Sequence, residues 1–129
     1  MNMQNILGHA TVLGLIEANE VTSTVTGTGK DVTQWEGKAL AILNSGPASA
    51  GTLPTLNVKL QHCATVGGSY VDITGATFTE VTNAAALVEG ITINVSDLNG
   101  FIRAVGTIGG TSTPTFDFSV ELVGFKKAS

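Results

Sequence analysis

The chain has 129 residues, of which 43% are hydrophobic and only 12% charged, and its formal net charge is −4. That length suits one ordinary domain, 1–129, able to bury a core without metals or disulfides, and the lone cysteine, Cys63, excludes an intrachain bridge. The cations Lys30, Lys38, Lys59, Arg103, Lys126 and Lys127 are dispersed, so no basic stripe exists to neutralise phosphates or anionic lipid, and neither nucleic acid nor membrane is expected as a partner.

Residues 1–20 lack the basic leader of a secretory signal, and Gly8 and His9 interrupt their apolar stretch. They read as part of the domain, with 1–33 forming either an N-terminal arm or the first strands. Nothing approaches the roughly 18 consecutive apolar residues needed to span a bilayer. Weak strand signals lie at 10–16 and 21–26. After Trp35, the run 38–43 is apolar at nearly every position, as expected for a central strand or one covered by a neighbouring subunit. Gly and Pro at 44–47 mark a turn, and 48–52 is expected to be a long exposed loop.

The clearest local signal is strict alternation over 55–61, which puts Leu56, Val58 and Leu60 on one face and Asn57, Lys59 and Gln61 on the other. Weaker strands follow at 70–74 and 78–81. Residues 83–89 read as a helical turn or an irregular loop. Alternation returns at 91–95, a second two-faced apolar run occupies 101–105, and the even positions of 116–122 (Phe116, Phe118, Val120, Leu122) face a core. Glycine-rich 106–110 and 109–114 read as hairpin turns. About eight or nine short strands separated by turns indicate an all-β fold, an antiparallel sandwich, with no room for crossover helices.

Candidate chemistry is sparse. His62 and Cys63 invite a nucleophile and base reading, but neighbours on a strand point to opposite faces and cannot bond each other. His9 stands apart with no accompanying motif. The carboxylates Glu17, Glu20, Asp31, Glu36, Asp72, Glu80, Glu89, Asp97, Asp117 and Glu121 are scattered, without calcium-loop spacing or a zinc-type Cys/His cluster. No catalytic, cofactor-binding or metal site is therefore expected, and the binding residues are left unknown. Asn94-Val95-Ser96 fits a glycosylation sequon, a three-residue match with no secretion signal behind it. Trp35 and Tyr70 are the two aromatic residues that could stack on a sugar ring; for Trp35 the competing reading is a cap on one end of the core.

Five segments carry a resemblance in order: 35–46 (WEGKALAILNSG), 55–62 (TLNVKLQH), 73–81 (ITGATFTEV), 101–107 (FIRAVGT) and 116–124 (FDFSVELVG). Together they resemble the small head-decoration, or cement, proteins of tailed bacteriophages and prophages. The resemblance covers about 35–124 and implies a jelly-roll-like sandwich that assembles, often as a homotrimer, on the outside of a virion and braces the shell formed by the major capsid protein. It implies no enzyme activity and no cofactor, and synthesis in the host cytoplasm before assembly. It transfers no site residue, and 1–33 match nothing in the family. The alternative is a carbohydrate-binding module on a virion or cell surface, with Trp35 or Tyr70 as its platform.

Overall fold

The computed structural model describes residues 10–98 and 100–126. They form β1 (Ala10–Val21), β2 (Val25–Thr26), β3 (Lys30–Asp31), β4 (Trp35–Ser45), β5 (Ala50–Cys63), β6 (Val71–Thr77), β7 (Leu87–Asn94) and β8 (Phe101–Lys126). All pairings are antiparallel. The expected all-β, antiparallel, jelly-roll-like sandwich is what the chain adopts.

The organising element is β8, which is long enough to serve both layers. Its first part pairs with β5 and with the short β2 and β3, and β6 flanks β5; this is sheet B. Its last part lies between β1 and β4, with β7 outside β4; this is sheet A. The core between the layers takes Ala41, Leu43, Phe118, Val120 and Leu122 from sheet A and Leu56, Val58, Leu60, Ile102 and Ala104 from sheet B, all essentially sealed from solvent. The alternating positions read from 55–61 and 116–122 therefore face inward as expected.

Where β8 crosses from one layer to the other it bends without ending. Pairing with β5 slips between Thr52↔Thr111 and Ala50↔Thr115, so extra β8 residues bulge out. Ser112 and Thr113 take left-handed backbone at φ 60° and 57°, and Leu53 opposite takes φ 49° with its side chain 85% exposed. Gly110 is required here: its φ is +112°, and a Cβ would lie 2.8 Å from the Leu53 carbonyl oxygen. The glycine and proline residues of 106–114 that read as hairpin turns are thus a bend inside one strand, because the same residue types serve reversals and bulges. Gly106 is buried in that strand beneath the ring of Phe118.

Other expectations shift in the same way. Ala50 onward belongs to β5, so the exposed loop expected at 48–52 is much shorter. The strand expected at 78–81 is a loop strapped to β5, with Phe78 N–H donating to the Val58 carbonyl and a single bridge between Val81 and Leu56. Residues 83–89 contain no helix; Leu87 opens β7. The strand at 91–95 stops at Asn94, whose side chain accepts from Ser96 N–H and caps a single 3-10 turn, Val95–Asp97. Residues 1–9 of the proposed N-terminal arm lie outside the described residues, and 10–21 are the edge strand β1.

Candidate interaction surfaces

Residues proposed for chemistry do not converge. Cys63 is buried at the end of β5 and His62 beside it is half-buried. Consecutive positions on a strand turn these side chains to opposite faces. His9 lies outside the described residues. Among the described residues no group of three His, Cys, Asp or Glu side chains could hold a metal ion. Trp35 is 4% exposed and belongs to the core, as the capping reading has it; its ring lies under Gly124, where a Cβ would come within 2.7 Å of it.

The outer face of sheet B is polar and internally bonded. Lys59 Nζ sits 3.0 Å from Asp72 Oδ1, Gln61 Nε2 donates to the same oxygen at 2.9 Å, and Arg103 Nε donates to Gln61 Oε1 at 2.9 Å. The Arg103 guanidinium then covers one face of the Tyr70 ring, 4.0 Å from its centroid, while the Tyr70 hydroxyl donates to the Val66 carbonyl. One ring face of the second aromatic candidate is thus occupied. Asn57 donates to Glu80, and Glu89 accepts from both the backbone N–H and the hydroxyl of Thr79. These carboxylates serve the fold.

Hydrogen bonds from Gln61, then from Lys59, hold the Asp72 carboxyl below its ordinary value of 3.8. A depressed folded value means that this stabilisation is present above the unfolded value and is lost as pH falls through the folded one. In an NMR titration the Asp72 carboxyl should therefore titrate below the ordinary carboxylate range, and Gln61→Leu should move its midpoint upward. An unmoved midpoint would show that Gln61 does not set it.

The outer face of sheet A is different. Strand register sets Val12, Val123, Leu40 and Thr92 in one row across β1, β8, β4 and β7, and Gly14, Glu121, Ile42 and Gly90 in the next. Val12 is 64% exposed, Leu40 40% and, further along β7, Val88 70%. Leu40 lies over Gly90, where a Cβ would stand 2.9 Å from its Cδ1. An antiparallel sheet with one face on the core normally turns polar side chains outward. Sheet B does so; the outer face of sheet A instead sets Val12, Leu40, Ile42, Val88 and Val123 among the polar Lys38, Glu121 and Thr92. Exposed apolar side chains grouped on one face are common at contact surfaces, and Leu40 and Ile42 on this face are why 38–43 reads as apolar on both sides of a strand central within the sheet.

No protein-family model matches the chain, and no curated protein matches it. Solved structures do. The SPBc2 prophage-derived protein YomS is similar at TM-score 0.54 and 15% identity, over 89% of this chain and 91% of that one. A chain in the structure of infectious bursal disease virus, Gx strain, is similar at TM-score 0.57 and 9% identity, over 88% of this chain. The VP2 subviral particle of that virus gives TM-score 0.55 at 11% identity over 88% of this chain. This chain spans only 30% and 31% of those two virus chains. At these identities the likeness is one of fold: an antiparallel sandwich that also occurs in chains of infectious bursal disease virus and in a prophage-derived protein.

Proposed function

We propose that the chain is a non-catalytic structural protein of a virus particle, a self-associating head-decoration protein that binds the outside of a shell through its major capsid protein and reinforces it. The observation that carries the self-associating part of this reading is the row of exposed apolar side chains on the outer face of sheet A, on a fold whose other outer face is polar and internally bonded. Low charge suits such a role, because contacts between weakly charged surfaces cost little desolvation, and many copies attached modestly can brace a shell through multivalency. The fold it shares with a prophage-derived protein and with a subviral particle supports a viral setting. The resemblance carried by 35–124 adds the exterior position.

The carbohydrate-binding reading lacks comparable support, since Trp35 is inside the core and Arg103 covers Tyr70. The test is co-sedimentation with capsids of the phage or prophage that encodes the protein, prepared without it. Binding should saturate at a fixed number of copies per capsomer. Protein that stays in the supernatant at micromolar concentration would overturn the proposal.

A further inference from the structure

We infer that the outer face of sheet A is where two copies of this chain pack on each other, face to face across a two-fold axis, with Lys38 of each copy against the partner's Glu121. The inference rests on self-association and not on capsid binding.

Size comes first. Four strands about 4.8 Å apart and some seven residues long make a face of roughly 450 Å², so two copies would bury about 900 Å² together, the size of a weak, concentration-dependent contact. Chemistry then selects the occupant. Glu121 is half-buried between Gly14 on β1 and Ile42 on β4, and no ion pair within the described residues serves it. A half-buried carboxylate beside apolar neighbours gains from a cation brought close to it. Lys38 is on the same face, two positions along β4 from Leu40, exposed and likewise without an ion pair among the described residues.

Geometry fixes the symmetry. Lys38 lies four residues from Ile42, the neighbour of Glu121, and so about 13 Å away along the strand. A two-fold axis running across the strands through the Val12–Val123–Leu40 row lays that row on its own copy. It brings the Lys38 end of one face onto the Glu121 row of the other, reciprocally, as an isologous contact requires. Three faces turned towards a three-fold axis parallel to the strands would instead gather three Glu121 carboxylates at one height. The face therefore favours two copies where the family resemblance implies three.

Sedimentation of the full chain at micromolar concentration tests this. The wild type should run at about twice its 13.2 kDa mass. Leu40→Glu should run as a monomer with an unchanged far-ultraviolet spectrum. At low salt, Lys38→Glu and Glu121→Lys should each weaken association about tenfold, and the double reversal should return to within about threefold of the wild type. Lys38 is exposed, so its variant folds whatever happens at Leu40. A monomeric or trimeric wild type, an oligomer indifferent to Leu40→Glu, or a double reversal no tighter than the singles would each overturn the inference. Capsid co-sedimentation of the same proteins reports on the proposed function separately: a monomer that binds capsids sinks the pairing alone, and a dimer that ignores them sinks the capsid role alone.

Discussion

Phe118→Ala should lower stability by about 3–5 kcal/mol, the cost of removing a buried ring and leaving a cavity, and the melting temperature by roughly 10–20 °C. The ring is 2% exposed in the layer of β8 that pairs with β4, and its Cζ fills the space where Gly106 of sheet B has no side chain. Phe118 and Gly106 belong to one strand on opposite sides of the bend, so this contact ties the two layers together. Little can relax into the gap, since Leu56, Val120 and the other neighbours are already sealed in the core. With a total stability of about 5–15 kcal/mol expected for a domain, the variant should be marginal at best. An unchanged melting curve would mean that 116–122 faces the other way.

Trp35→Ala should be comparably costly, again about 3–5 kcal/mol, and the loss should be one of folding and not of ligand contact. The indole opens β4 at the end of the core, packed against Gly124. A stacking platform would be solvent-exposed, and its removal would spare the melting temperature while abolishing sugar binding. Thermal unfolding followed by circular dichroism separates the two: a drop of roughly 10 °C or more fits the core position, and an unchanged transition contradicts it.

Much of the fold was legible because it depends on local alternation. Leu56, Val58 and Leu60, like Phe116, Phe118, Val120 and Leu122, announce their inward face by spacing alone. The continuity of β8 was not legible, because Gly109, Gly110 and Pro114 carry the chemistry of a chain reversal and only pairing with β5 reveals a bend. The candidate surface was half visible. Residues 38–43 signalled a strand with two apolar faces, but the alignment of Val12, Val123 and Leu40 in one row depends on registers between distant segments. The Tyr70–Arg103–Gln61–Asp72 chain on the other sheet is long-range in the same sense, and no spacing along the sequence could have assembled it.

The most direct test of the central claim is a cryo-electron-microscopy difference map between shells of the phage or prophage proposed to encode the protein, assembled with and without it. The account predicts added density on the outer surface at a symmetry-related position, of a size to hold whole copies of this sandwich and in contact with the major capsid protein. Identical maps from particles shown to have been exposed to excess protein would contradict it.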